Sequence, residues 1–382
     1  VKDGSSIAVV NMPFEGGSNS TYTKDYSGLS NTGIVSGATW NSTGGYDSFG
    51  AYVIDASAER VQISQSSSLN ITNNLTISMW VKPANNTHSS WNYFAARQNF
   101  LGYEFGVYNA GLVPRFKVYN SAGTATEIAA GTMNVGSWHH VAGSVSGSSV
   151  RLYLDGEQVA SSSTFSGPMR ASTGALYIGG NTGSGYFNGT IDDVQMYNRS
   201  LSPEQIKVLY QSKTNTLVSQ ETAVNDQWRA DITPNDRTAD GTTVSSNTIT
   251  IKEDAIAPNV TTLNAFPANN SNYSSGQFYS FNATVSDDKS VNTVLFEFNG
   301  INYTTNNLTG SVFNVTIPFS LPAGTFNYKW IANDSSNNIN ATEKGSYTVN
   351  RAVSEVNLTL DGTDGNKSIV SGTQIIFEGI LI

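Results

Sequence analysis

The chain has 382 residues, enough for two or three domains. Only 13% are charged, about half the usual share, while Ser (49), Thr (38), Asn (41) and Gly (35) supply 163 positions. Lys and Arg (20) against Asp and Glu (29) leave a net charge of −9, which excludes a nucleic-acid partner, and zero Cys removes disulfides, thiolate catalysis and Cys-ligated zinc.

So polar a chain stays disordered unless it can bury a core, and 6 Trp, 18 Tyr and 17 Phe supply one. Turn formers alternating with strand formers predict an all-β fold. No run approaches the roughly 18 apolar residues of a membrane span. An opening at Val1, without Met or a basic-plus-apolar leader, reads as a processed or excised piece.

From residue 7 to 211, short strands alternate with turn signals. LTISMWVKP (75–83) sets Ile77, Met79 and Val81 on one face without strict alternation, the pattern of a strand buried on both sides. Hairpin turns follow at Ser146-Gly147-Ser148 and at Asp155-Gly156. TGALYIGG and GTIDDVQMYN add two strands, and LSPEQIKVLYQSK predicts one helix. Ser202 is its N-cap, Pro203 its first residue and Gln205 the capping-box partner, with Leu201 and Ile206 as a staple. Ile206, Leu209 and Tyr210 give it an apolar face that should lie on the sheets.

These residues carry a family resemblance. IAVVNMPFEG, KDYSGLSNTGIVSGATW, GGYDSFGAYVID, LTISMWVKP, GYEFGVYN, SWHHVAGSV, LYLDGEQV, LYIGG and FNGTIDDVQMYNRSLSPEQIKVLY run in the order of laminin-G-like, concanavalin A-like lectin domains. The resemblance spans residues 7–211 and implies a two-sheet antiparallel jelly roll.

Beyond it, residues 226–253 read as the last two strands of an Ig-like sandwich, with Trp228, Ala230 and Ile232 alternating. VKDGSSIAVV fits a middle strand of the same sandwich, so 1–6 and 212–255 form a partial Ig-like host for the lectin-like insertion. Residues 256–350 hold seven candidate strands, with Phe278, Phe281, Val285, Val294, Phe296, Phe298, Tyr328 and Trp330 facing inward. They resemble the Ig-like repeats of large archaeal and bacterial surface proteins. Residues 351–382 read as the opening strands of one more such domain. An incomplete sandwich leaves an unpaired edge. Either neighbouring copies complete one another by strand exchange, building a filament, or the missing strands lie in a longer polypeptide.

Catalytic constellations are sparse. His88, His139 and His140 form no metalloprotease motif, and His139 and His140, adjacent on a strand, should face in and out as structural residues. GGNTGSG (179–185) opens no helix and reads as a loop. Glycoside hydrolysis, which related jelly rolls host, needs two carboxylates on one face. Glu104 stands alone, and Asp192 and Asp193 should point to opposite faces, so no enzyme is expected.

The resemblance implies a rim Ca²⁺ site, for which Glu15, Asp25, Asp192 and Asp193 are the candidates. The alternative is that Asp25 caps a turn and one of the Asp pair satisfies loop amides. Exposed aromatics that stack on sugar rings are sought in Trp91, Tyr93 and Tyr186, near Phe94 and Phe187, whereas Trp80 and Trp138 read as core. Eighteen Asn-x-Ser/Thr sequons run from Asn19 to Asn366, where chance gives roughly nine. Eleven lie from Asn259 onward: Asn259, Asn269, Asn272, Asn282, Asn302, Asn307, Asn314, Asn333, Asn340, Asn357 and Asn366. N-linked glycans there would solubilise a charge-poor surface and place the chain outside the cell.

The expectation is a non-catalytic extracellular or cell-surface glycoprotein, an adhesin or filament subunit, with carbohydrate or a surface protein as partner. The rival is the accessory binding portion of a large secreted polysaccharide-degrading enzyme. A third option is a spacer that binds nothing.

Overall fold

The strand-forming runs at the front of the chain pair into two eight-stranded antiparallel sheets. They are seen in a computed structural model that describes residues 1–86, 90–98, 101–108, 111–182, 185–213, 215–236, 239–352, 356–360 and 377–381. The first sheet runs Glu157–Ser162, Ser149–Leu154, His139–Ser146, Leu75–Pro83, Gly189–Tyr197, Ala51–Ile54 and Thr39–Asn41, with Val10–Met12 also paired to Gly189–Tyr197. The second runs Ala125–Ala129, Pro114–Tyr119, Tyr103–Tyr108, Trp91–Arg97, Leu176–Ile178, Arg60–Ile63, Gly33–Ser36 and Tyr22–Thr23.

Period-two alternation sends one face of each sheet into a shared core. Ile77, Met79, Val81 and Val141 of the first sheet meet Phe94, Phe105, Phe116 and Val118 of the second there. The rings of Phe94 and Phe105 stand 5.6 Å apart, and those of Phe105 and Phe116 5.4 Å. Phe116 fits because its opposite number is Gly143, where a Cβ would lie 2.7 Å from the ring.

Leu75–Pro83 is buried on both sides, as its lack of alternation implies. Helix Pro203–Tyr210 covers the outer side of the first sheet, with Leu201 and Ile206 packed beside Ala142, Tyr153 and Tyr197. Ser202 Oγ accepts the Gln205 N–H at 3.2 Å, but the capping box is only half made. The Gln205 side chain turns to the Thr216 carbonyl and the Val218 N–H, and Glu221 takes the Ser202 N–H. Trp80 is buried against Tyr46 and Tyr210, whereas Trp138, expected in the core, is half-buried with Tyr46 as its aromatic neighbour. Asp155 and Gly156 both take positive φ (52° and 80°), as a tight two-residue hairpin requires.

Residues 1–252 form one compact unit and 253–382 another. In the first, Lys2 bridges Trp228, Arg229 N–H donates to Val1 O, and Gln227–Trp228 pairs with Ile249–Thr250. The alternation read through Trp228, Ala230 and Ile232 buries Trp228 alone; Ala230 is exposed and Ile232 is 66% exposed, because the short ribbon Asp231–Ile232 with Val244–Ser245 has no second layer over it.

The second unit packs Asn259–Phe266, Tyr279–Ser286, Val312–Ile317 and Asn306–Thr309 against a sheet built on Val291–Phe298, Gly324–Asp334 and Lys344–Asn350. Phe281, Val285, Val294, Phe296, Phe298 and Trp330 fill its core, with Tyr328 packed against it. Phe278 does not join them. It precedes the strand and is 67% exposed, and Tyr279 takes the inward place at the start of the 279–281–283–285 face. Val356–Leu360 and Phe377–Leu381 pair antiparallel, while residues 361–376 lie outside the described residues. Among the described residues, no helix is long and apolar enough to cross a membrane.

Gly143→Ala should lose about 1–3 kcal/mol of stability by forcing a methyl into the Phe116 ring. Urea unfolding of the variant checks this, and an unchanged midpoint would contradict the packing described.

Candidate functional site

Strand Gly189–Tyr197 breaks its ladder with Leu75–Pro83 between Asp192 and Gln195, and Asp193 takes φ 48°. The break cancels the alternation that would have sent the two carboxyls to opposite faces, and both lie within electrostatic reach of Glu15. Asp192 is fully buried, with Oδ2 accepting the Tyr46 N–H and Oδ1 the Asp193 N–H, each at 2.8 Å. Gly45 allows the 45–50 loop to close here, since a Cβ would lie 2.6 Å from Asp192 Oδ2. That loop brings in Asp47, which the sequence reading missed because nothing local distinguishes it from a turn residue.

Burial, and then the charges of Asp47 and Asp193, push the Glu15 carboxyl up to about 8. Burial also raises Asp192 and Asp193, each further raised by a neighbouring carboxylate. Glu15 Oε2 is buried without a hydrogen-bond partner, and among the described residues no Lys or Arg pairs with any of the four acids. An all-oxygen group of like charges with an orphaned buried atom has the donor chemistry of a hard divalent cation such as Ca²⁺, which would have to draw these acids closer together to be ligated by them. Asp25 leaves the set. Its Oδ1 accepts the N–H groups of Asn11 and Ser27, and its Oδ2 accepts Ser27 Oγ and the Asn31 N–H, so it organises a loop.

Among the described residues, three acids have oxygens within 4.8 Å of one another: Asp254, Asp287 and Asp288, in the second unit. The Glu15 group stands wider than this, and the second-unit trio is half-buried to exposed.

The outer face of the second sheet carries a different arrangement. A cross-strand row runs Tyr177, Ala96, Glu104, Lys117, Glu127. Glu104 is 1% exposed, yet both oxygens are answered: Tyr93 Oη donates to Oε1 at 2.9 Å and Tyr119 Oη to Oε2 at 2.7 Å. Burial and the Glu104 charge hold both phenols well above their ordinary range, so they stay protonated as donors. Lys117 Nζ stands 3.8 Å from Glu104 Oε2 and 3.8 Å from Glu127 Oε2, while Arg115 Nη1 bonds Glu127 Oε1 at 2.8 Å.

Trp91 lies over Tyr93 with ring centroids 5.5 Å apart and planes 8° from parallel, and Tyr108 is 5.7 Å away. Tyr108 is 40% exposed and Trp91 half-buried. Tyr93 is 4% exposed and forms the floor under Trp91, so it offers no contact face of its own. Tyr186 bridges the backbone of Tyr93 and lines an adjoining cleft of about 310 Å³ with Asp55, Ser57, Asn85, Asn92 and Asn188. The three expected contacts are therefore neighbours, with Trp91 over Tyr93 on the sheet face and Tyr186 in the cleft beside them. Phe94 and Phe187 are core.

His139 and His140 point to opposite sides of their strand, His139 level with the core residue Val81 and His140 beside Trp80 and Tyr210, and both are buried because the helix covers the outer side. His139 bonds Asp155 Oδ2 and accepts the Asn134 N–H, and His140 bonds Ser78 Oγ. His88 lies outside the described residues.

Asn259, Asn269, Asn272, Asn302 and Asn307 are exposed, and Asn282, Asn314, Asn333 and Asn340 half-buried. The side-chain amides of Asn269, Asn307, Asn314 and Asn340 donate to carbonyls, and Asn314 also to Asn282 Oδ1. The Asn357 side chain and Asn366 lie outside the described residues.

Two facing antiparallel sheets that share one core define an antiparallel β-sandwich. Residues 55–207 match the family described as the concanavalin A-like lectin/glucanases superfamily. No curated protein matches the chain. Among solved structures, domain 4 of an extracellular arabinanase from Geobacillus stearothermophilus, in complex with arabinotriose, is 19% identical. Its TM-score is 0.40, over 53% of this chain and 98% of its own. The binding domain of Paraclostridial Mosquitocidal Protein 1 is 16% identical, with TM-score 0.44 over 85% of this chain and 71% of its own. The botulinum neurotoxin serotype G binding domain is 15% identical, with TM-score 0.44 over 86% and 87%. Likeness at that level says nothing of ligands.

A carboxyl raised in the folded state contributes stability below its unfolded value, lost as pH rises through the folded one. With calcium chelated, the melting temperature should therefore fall by a few degrees more in the wild type than in Glu15→Gln between pH 5 and pH 8. Added Ca²⁺ should restore the wild type at pH 8, do little at pH 5, and leave Glu15→Gln unmoved. A calcium shift that survives in the variant would remove Glu15 from the site.

Proposed function

We propose that the chain is a non-catalytic recognition protein of an extracellular surface, whose larger unit holds carbohydrate on the outer face of its second sheet. The observation that carries this reading is Trp91, seated on Tyr93 beside the exposed Tyr108, with Lys117 and Tyr119 next to it. Sugar rings present a C–H face to aromatic rings and a rim of hydroxyls to polar groups, and this surface offers both. The cleft around Tyr186 is less suited, because two of its lining residues, Asn85 and Asn188, themselves begin sequons.

Absence of turnover is argued from the same face. On that face Glu104 and Glu127 make no glycosidase pair, because the Lys117 ammonium stands between them, 3.8 Å from each, where a glycosidic oxygen would have to lie. Calcium at Glu15, Asp47, Asp192 and Asp193 would neutralise the buried acids and fix the 45–50 loop, a structural role with no step routed through the ion. Sequon density in residues 259–366 favours display on a surface, as an adhesin, over the accessory portion of a secreted hydrolase.

Trp91→Ala should weaken retention of the full chain on polysaccharide about tenfold or more while leaving its melting temperature within a few degrees, since stacking contributes about 0.5–1.5 kcal/mol beyond area burial. Affinity electrophoresis over a polysaccharide panel measures it, and retention indifferent to Trp91 contradicts the reading. On native material, glycopeptide mass spectrometry should find Asn259, Asn272 and Asn302 occupied ahead of Asn282 and Asn314, whose side chains are bonded to each other. Unmodified peptides throughout would withdraw the glycans.

A further inference from the structure

The polar groups around Trp91 do more than mark a sugar site; their charges balance. Two cations, Lys117 and Arg115, stand among two carboxylates, Glu104 and Glu127, on a chain whose net charge is −9. Each carboxylate oxygen of Glu104 already holds a phenol proton, so the phenol oxygens keep lone pairs to accept from a ligand. At 3.8 Å from both carboxylates, Lys117 Nζ is beyond hydrogen-bond distance of either and keeps its N–H groups for a ligand oxygen. It is held over the rings of Trp91 and Tyr119, at 5.9 and 5.3 Å from their centroids, and so lies alongside the stacking surface.

We infer that this platform takes uncharged sugar rings, with Trp91 and Tyr108 as stacking faces, Lys117 as donor and Tyr119 as acceptor, and that Glu104 is a positioning residue that orients Tyr119 and Lys117. The inference rests on the carbohydrate reading above and adds the ligand class and the role of Glu104. A carboxylated ligand would bring a third negative charge beside Glu104 and Glu127, and the two cations next to Trp91 and Tyr108, Lys117 and Arg115, each already have a carboxylate neighbour. A hydroxylated one needs only what the surface has: an ammonium donor, a phenol acceptor and two rings. Glu104 touches no ligand, being 1% exposed beneath the tyrosines. Its charge keeps both phenol protons pointed inward and draws Lys117 toward the centre of the row.

The test compares the full chain and its variants on neutral polymers (xylan, arabinan, laminarin) and on uronate polymers (polygalacturonate, alginate), by affinity electrophoresis and titration calorimetry in low salt. The wild type should be retained by at least one neutral polymer in a Trp91-dependent manner and ignore the uronates. Glu104→Gln should weaken the neutral polymer about tenfold, because one phenol then faces an amide N–H2 group and loses its acceptor. The same variant should gain salt-sensitive retention on polygalacturonate, since Lys117 is left with one carboxylate neighbour fewer. A merely structural residue would not exchange one ligand class for the other. Tighter Trp91-dependent binding of uronates by the wild type overturns the neutral class while the carbohydrate reading stands. Glu104→Gln matching the wild type on both polymer classes overturns the positioning role. No Trp91-dependent retention on any polymer sinks the carbohydrate reading itself. If Glu104→Gln fails to fold, Tyr119→Phe carries the test: it should lose neutral binding about tenfold, and wild-type binding by it overturns the inference.

Discussion

A carboxylate withdrawn from water has to be answered, and the larger unit contains one that is answered by the protein and a group that is not. Glu104 lies under the outer face of the second sheet with a phenol on each oxygen and an ammonium within 3.8 Å. Compensation of this kind is what makes a buried charge tolerable, and it fixes the surroundings: two tyrosines, a lysine and the tryptophan above them are held in one arrangement. Among the described residues, Glu15, Asp192 and Asp193 have neither phenol nor ammonium bonded to them: Asp192 accepts two backbone N–H groups, Glu15 Oε2 accepts none, and each is pushed toward the neutral acid by burial and by its neighbours. The first arrangement is complete as protein; the second is complete only with a cation or with protons.

The core makes the first arrangement rigid. Phe94, Phe105 and Phe116 are locked edge to face beneath the strands that carry Trp91, Glu104 and Lys117, and they cannot turn without disturbing Gly143 opposite. A bulge between Tyr93 and Ala95 lets Trp91 and Tyr93 stay on the outer face while Phe94 and Ala95 both go inward. Aromatic and charged groups pre-set on packed strands lose little freedom when a ligand arrives, which is how a shallow surface can bind without a deep pocket.

Composition and periodicity made the all-β architecture, the central strand at 75–83 and the helix at 203–210 legible, because each has a local cause: turn residues, a doubly buried run, a Ser-Pro start. What escaped depends on breaks in regularity. Strict alternation sent Asp192 and Asp193 apart, and a bulge with one positive φ brought them together. Phe278 was placed inside by its type, but the strand begins one residue later. Asp25 follows the turn-capping alternative by accepting loop amides, and Asp47 joins the other acids, because which acids meet is decided by chain segments far apart in sequence. Glu104 stood alone in the sequence because its partners come from two neighbouring strands, Trp91–Arg97 and Pro114–Tyr119, joined only by register.

The claim that the larger unit presents a sugar-binding surface and does not cleave what it holds is most directly tested by a crystal structure of the full chain grown with calcium and a neutral oligosaccharide. The account predicts an intact sugar chain with one ring over Trp91 and a hydroxyl at Lys117. A cleaved chain, or one bound away from Trp91, would contradict it.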